Sequence, residues 1–353
     1  MKKYQHGGDV YSNKTEYDFS ANINPLGMPE SVKIKLRESI EMCEHYPDTE
    51  SRELIREIAL FETDVTGKKV SGDMIVCGNG AADILYRTMA LLKPSKVLLP
   101  VPSFSEYEKA VKEIGGEIKY YYRRIENDYR VDERILESIE DVDMVIMCNP
   151  NNPTGDVTDA ELMERIVAEC ERCRVRLIVD ECFMDFADEG LRCRKLYDSE
   201  NVIIIRAFTK ICAMPGIRTG YSISKDKAFN LRLRQTGQCW GVSVPAQVAG
   251  VEAARVLRDS DYIKDTRDLI KKERYYLVTE LEKLGIKVYQ SEANYLLFYS
   301  ERELCETLLK NGIAIRNCEN YEGLKKGYYR IAVRKHEDNK RFIKYMQEIW
   351  RLQ

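Results

Sequence analysis

Read for hydrophobic and polar positions, the middle of the chain alternates short apolar runs with stretches of helical period. Met74–Cys77, Lys96–Leu99, Asp143–Cys148, Arg176–Val179 and Asn201–Arg206 are compact runs, and the last three are rich in Val, Ile, Leu and Met without polar alternation. Strands of that kind are buried on both faces, as in a parallel sheet covered by helices. Ala81–Leu92, Ser105–Ile114 and Asp159–Cys173 predict helices between them, and Glu117–Tyr122 a further extended segment. Strand–helix–strand crossovers imply an α/β architecture, a mostly parallel sheet sandwiched by helices.

Beyond Pro245 the order of elements changes. Ala246–Leu257, Tyr262–Leu284, Arg302–Asn311 and His336–Trp350 read as helices, and Lys287–Gln290, Tyr295–Tyr299 and Tyr328–Val333 as strands. This mixed order predicts a smaller α+β domain over residues 246–353. Residues 1–40, rich in Asn, Pro and Gly with a helix starting at Pro29, predict an arm that joins the small domain or a subunit contact. A large domain over residues 41–245 is left between them.

Composition narrows the function classes. With 353 residues, 44% hydrophobic and 32% charged, the chain is globular and long enough for more than one core. Its 55 Lys+Arg against 58 Asp+Glu give a net charge of −3, which argues against nucleic acid as a partner. No apolar run approaches the roughly 20 residues that span a bilayer, and the two lysines near the start precede no apolar segment of a secretory signal. Eleven irregularly spaced cysteines predict reduced thiols in a cytoplasm. Cys170 and Cys173 form a CxxC inside a predicted helix with no second pair at zinc-ligand spacing, so no metal is expected.

Four segments at the ends of the predicted strands carry candidate chemistry. Gly78-Asn79-Gly80-Ala81-Ala82-Asp83 turns from strand into helix, and its small residues let a phosphate reach the free N–H groups of a helix start. Asn149-Pro150-Asn151-Asn152-Pro153-Thr154-Gly155 follows Asp143–Cys148 and can hold the Asn152 amide at a strand end. Asp180 closes Arg176–Val179, where a carboxylate is costly unless paired with a cation. Thr209-Lys210 and Arg218 follow Asn201–Arg206; a lysine desolvated there has a lowered pKa and can form an imine with an aldehyde.

With Asn152-Pro153-Thr154-Gly155, Asp180, Lys210 and Arg218 in this order, the chain resembles the aspartate-aminotransferase-type (fold type I) pyridoxal-phosphate enzymes over essentially its whole length. The resemblance implies pyridoxal 5′-phosphate as cofactor. Lys210 is then the Schiff-base lysine, Asp180 the partner of the ring nitrogen, and Asn152 the donor to the ring's O3′. The backbone of Gly80, Ala81 and Ala82, with Thr209 and Arg218, holds the cofactor phosphate, and Phe104 stacks on the ring. Arg330, in Tyr328-Tyr329-Arg330-Ile331-Ala332-Val333-Arg334, matches the substrate-carboxylate arginine. Tyr46 matches a tyrosine that reaches the neighbouring subunit's phosphate, which implies a homodimer with shared active sites.

Two subfamilies come close: the histidinol-phosphate aminotransferases and the threonine-phosphate decarboxylases of cobalamin biosynthesis. His6-Gly7-Gly8-Asp9 followed by Asp18-Phe19-Ser20-Ala21-Asn22-Ile23-Asn24-Pro25-Leu26-Gly27 resembles the decarboxylase pattern. That match makes His6, Asn22 and Arg334 candidates for the substrate's phosphate. Phe183, three residues after Asp180, lacks the hydroxyl that the aminotransferases usually carry there. The expectation is therefore a lyase releasing CO2 from L-threonine O-3-phosphate, with transamination as the alternative. A non-catalytic pyridoxal-phosphate-binding module, such as a regulator's effector domain, would not need Lys210.

Overall fold

The computed structural model of the chain describes residues 6–12 and 15–351. The arm contributes β1 (Tyr17–Asp18) and α1 (Glu30–Glu38), and α2 (Arg52–Thr66) follows. The main layer runs β2 (Ile75–Gly78), α3 (Ala81–Leu92), β3 (Lys96–Val101), α4 (Ser105–Glu113), β4 (Glu117–Tyr122), β5 (Met144–Cys148), α5 (Ala160–Cys173) and β6 (Arg176–Asp180). It continues through β7 (Val202–Ala207), the short α6 (Phe208–Ile211), β8 (Gly220–Ile223) and α7 (Lys227–Gln235). Then α8 (Val244–Asp259) and α9 (Tyr262–Glu282) lead to β9 (Lys287–Val288), β10 (Tyr295–Tyr299), α10 (Cys305–Lys310), β11 (Ile313–Ala314), β12 (Arg316–Asn317), β13 (Tyr328–Ala332) and α11 (His336–Arg351).

The seven-stranded sheet has the order β2-β8-β7-β6-β5-β3-β4 and is parallel except at β8. Every residue of β5 and β7 is buried, which is why both read as unbroken apolar runs. Helix α5 shows the other half of the code. Leu162, Met163, Ile166, Val167 and Cys170 make its buried stripe, Asp159 caps its start by accepting from the N–H groups of Glu161 and Leu162, and Arg174 ends it in the left-handed conformation.

Two differences from the sequence expectation have physical causes. The β8 segment Gly-Tyr-Ser-Ile has no aliphatic run, and it lies antiparallel between β2 and β7 with the Tyr221 hydroxyl spent on Glu62. Strand β3 continues through Pro100 to Val101, because its pairing with β5 is complete at Leu98 and the rest follows β4.

The second sheet is antiparallel in the order β12-β13-β10-β9, and β1 of the arm runs parallel to β11. In the main sheet, Cys148 is registered with Asp180 and Asp180 with Ile205, so β5, β6 and β7 end level with one another. Open α/β sheets bind ligands at such carboxyl ends.

Behind these ends lies a buried charged cluster. The Arg206 guanidinium on β7 reaches Glu62 of α2 at 2.6 Å and also pairs with Asp185; Arg192 bridges Asp185 at 3.0 Å and Glu181 at 2.9 Å. Arg267 of α9 donates to the Asp185 carbonyl at 3.1 Å, which ties α9 to the same place. Arg206 therefore neutralises two buried carboxylates at once. Replacing it with alanine is expected to destabilise the protein by about 3–5 kcal/mol in urea unfolding. A loss below about 1 kcal/mol would show that the cluster does not hold the strand ends.

Candidate active site

Three of the four predicted segments meet directly at the level ends of β5, β6 and β7, and the fourth borders them from β2. They enclose a cavity of about 260 Å³ lined by Ala81, Ala82, Phe104, Asn152, Asp180, Thr209, Lys210 and Arg218, with Arg330 from the second sheet.

The turn before α3 depends on glycine. Gly80 has φ +84°, and a Cβ there would sit 2.4 Å from Nη2 of Arg218, so the guanidinium rests against bare backbone. Gly220 of β8 closes the same turn from beneath, since its Cβ would fall 2.5 Å from the Ala81 nitrogen. The first N–H groups of α3, the Thr209 hydroxyl and Arg218 thus surround one point suited to a phosphate. On the loop after β5, Gly155 has φ +81° and its Cβ would lie 2.1 Å from Oγ of Ser291. Asn151 fixes that loop by donating to the Pro102 carbonyl at 3.1 Å and to the Thr154 hydroxyl at 2.6 Å.

Asp180 is buried and accepts two neutral donors, the Tyr107 hydroxyl at 2.7 Å and the Cys182 N–H at 3.0 Å. Among the described residues it has no ion-pair partner, so the cavity holds a carboxylate fit for a cationic ring nitrogen. Lys210 faces the same cavity, and its amine has no hydrogen bond or ion pair among the described residues. Burial, with the nearby Arg330 and Arg218 cations, lowers its pKa to about 8. Asn152 accepts the Arg330 guanidinium on Oδ1, which leaves its Nδ2 as a donor toward the cavity. Phe104 lies edge-to-face with Tyr107, ring centroids 5.7 Å apart. Phe183 lines the cavity without a hydroxyl and packs on Tyr295 at 5.0 Å. A phosphate cradle, an unpaired carboxylate, a near-neutral amine and an aromatic wall fit pyridoxal phosphate.

The substrate end is built by the arm and the second sheet. His6 and Asn22 line the cavity, and Oδ1 of Asn22 is buried without a partner among the described residues. Arg330 is buried; beyond Asn152 it donates to the Ser20 carbonyl at 2.8 Å and the Tyr321 hydroxyl at 3.4 Å. Residues that the sequence reading missed are Tyr107, Glu106, Cys182, Tyr321 and Arg316. Tyr107 lies three positions after Phe104 on α4, a signal that was available. Arg316 sits on the two-residue β12, too short to leave a pattern. Two candidates lie outside this cavity, Arg334 and Tyr46, the latter assigned by the resemblance to the neighbouring subunit's site rather than to this one. The Tyr46 ring is exposed and stacks on Trp240 at 4.4 Å. Arg334, beyond the end of β13, pairs with Asp338 at 2.9 Å and donates to the Asp18 carbonyl at 3.0 Å.

Among the described residues no cluster of three His, Cys, Asp or Glu could hold a metal ion, and no helix is long and apolar enough to cross a membrane.

Fold and site together define a pyridoxal-phosphate-dependent enzyme with the aspartate-aminotransferase fold. The chain belongs to the family described as aminotransferase class I and II, whose profile matches residues 14–346. It is 34% identical to a threonine-phosphate decarboxylase of Salmonella typhimurium, covering 98% of this chain and 96% of that protein. It is 31% identical to a histidinol-phosphate aminotransferase of Methanocaldococcus jannaschii, over 93% of this chain and 88% of that one. A solved structure described as the histidinol-phosphate aminotransferase of Clostridium acetobutylicum superposes with a TM-score of 0.87 at 33% identity, covering 96% of this chain and 100% of its own.

Because burial and two cations favour the neutral amine, Lys210 of cofactor-free protein should react with an amine-directed reagent along a pH profile with its midpoint at about 8. Exposed lysines titrate near 10.4. Peptide-resolved labelling measures both, and a Lys210 midpoint above 10 would contradict the lowered basicity.

Proposed function

We propose that the enzyme decarboxylates L-threonine O-3-phosphate to (R)-1-amino-2-propanol O-2-phosphate, the reaction of cobalamin biosynthesis. The observation that carries this reading is the pairing of Arg316 with Arg330 directly across β12 and β13. Residues opposite one another project from the same face, and like charges so placed are destabilising. Both are buried and both line the cavity. Two guanidiniums lining one cavity suit a substrate with two anionic ends, a carboxylate and a phosphate on adjacent carbons.

Bound pyridoxal phosphate would supply an electron sink for the substrate Cα. Arg330 would hold the substrate carboxylate and Arg316, His6 and Asn22 its phosphate, so that the substrate is fixed at both ends with the carboxylate presented as the group to be lost. Asp180 keeps the ring nitrogen cationic. Lys210 would deliver the proton that Cα then needs. The reading includes a homodimer in which Tyr46, held by Trp240, reaches the neighbouring subunit's cofactor phosphate.

Transamination of histidinol phosphate is the second reading, favoured by the 33% identity to the Clostridium structure. Incubation of the cofactor-loaded enzyme with threonine phosphate is expected to release CO2 stoichiometrically with the amine, without build-up of the pyridoxamine form. Stoichiometric bleaching to the pyridoxamine band, reversed by a 2-oxo acid, would overturn the proposal.

A further inference from the structure

The arm places an imidazole of the chain's own at the rim of the cavity, on a carboxylate of α4. His6 Nε2 lies 3.0 Å from Oε1 of Glu106, whose Oε2 accepts the Tyr86 hydroxyl at 2.8 Å. The His6 contact, then the Tyr86 hydroxyl and Lys109, hold the Glu106 carboxyl below its usual range against the opposing effect of burial. The imidazole also meets the Phe104 ring at 5.8 Å.

The backbone that carries His6 is tightly constrained. A Cβ on Gly7 would fall 2.1 Å from the Ser20 carbonyl oxygen, and the Gly8 N–H donates to Oγ of Ser20 at 2.8 Å. Only glycine lets the arm lie flat on Ser20 and Ala21 with residue 6 turned inward. Beyond it opens a second cavity of about 660 Å³, which shares His6, Gly7, Ser20 and Arg316 with the first. His6 stands at the junction of the two. Removing its ring would join the spaces and uncover Glu106.

An uncovered carboxylate at that point is an acceptor for an imidazole, the group that distinguishes histidinol phosphate from threonine phosphate. We infer that His6, seated on Glu106, is a specificity determinant: it closes the far end of the substrate cavity and occupies the carboxylate on which a substrate imidazole would be held. A short phosphorylated amino acid is admitted and histidinol phosphate is refused. With Nε2 spent on Glu106, the other edge of the His6 ring remains for the substrate phosphate. The inference rests on the threonine-phosphate reading and deepens it.

The test uses the full-length, cofactor-loaded enzyme and its His6→Ala variant, titrated with threonine phosphate and with histidinol phosphate by absorbance and by calorimetry. His6 is exposed at the arm, and an unchanged unfolding midpoint certifies the variant. Histidinol phosphate is expected to bind His6→Ala at least about tenfold more tightly than wild type, the scale of one charge-assisted hydrogen bond. That gain is expected to vanish in the double variant His6→Ala/Glu106→Ala, and millimolar imidazole should suppress it in His6→Ala by refilling the gap. Unchanged histidinol-phosphate affinity in His6→Ala, or a gain that survives loss of Glu106, would overturn the inference while leaving the decarboxylase reading intact. A wild-type preference for histidinol phosphate would overturn the reading itself.

Discussion

Asp180 and Lys210 share one cavity, yet neither is spent on an ion pair with any described residue. A buried carboxylate without a cation and a desolvated amine without an anion are both costly on their own. The fold holds them apart by attaching them to adjacent parallel strands, Asp180 as the last residue of β6 and Lys210 three residues past β7. Register does the spacing, since Asp180 stands opposite Ile205. The buried cluster of Arg206, Glu62, Asp185, Arg192 and Glu181 pins those strand ends from the opposite side. In the proposed mechanism each of the two groups meets an incoming partner: a ring nitrogen for the carboxylate, an aldehyde carbon for the amine.

At the other end of the cavity two like charges are set opposite one another. Arg316 and Arg330 face one another across an antiparallel pair, where opposite charges or apolar groups would ordinarily be favoured. Arg330 has only neutral partners among the described residues, and its Nε is buried without any. Such a pair gains most from an anion between or beside the two guanidiniums. The arm completes the enclosure: Asp18 backs onto Ala314 through β1, Ser20 receives Arg330, and Gly7 and Gly8 bring His6 to the cavity. The arm therefore forms part of the cavity wall together with the two sheets.

How much of this was legible in the sequence follows from where the information resides. Strands β5, β6 and β7 have continuous apolar runs because helices cover both their faces, and their polar successors, Asn152, Asp180 and Lys210, stand out against that background. The mostly parallel α/β sheet was readable for the same reason. Strand β8 was not, because Gly220, Tyr221 and Ser222 leave it no apolar run although all four of its residues are buried. Arg316 was hidden by the brevity of β12, and its value comes from register with Arg330, a long-range property. Glu106 and Tyr107 looked like ordinary α4 residues, and only packing against His6 and Asp180 gives them a role. Arg334 carried the opposite lesson: motif position placed it near the site, whereas its side chain pairs with Asp338.

The central claim is that one amine, that of Lys210, is reserved for the aldehyde of pyridoxal phosphate. Borohydride reduction of the cofactor-loaded protein followed by peptide mass mapping tests it most directly. The account predicts a single reduced adduct on the peptide containing Thr209-Lys210-Ile211. An adduct on any other lysine, or a protein that binds the cofactor without being trapped at position 210, would contradict it.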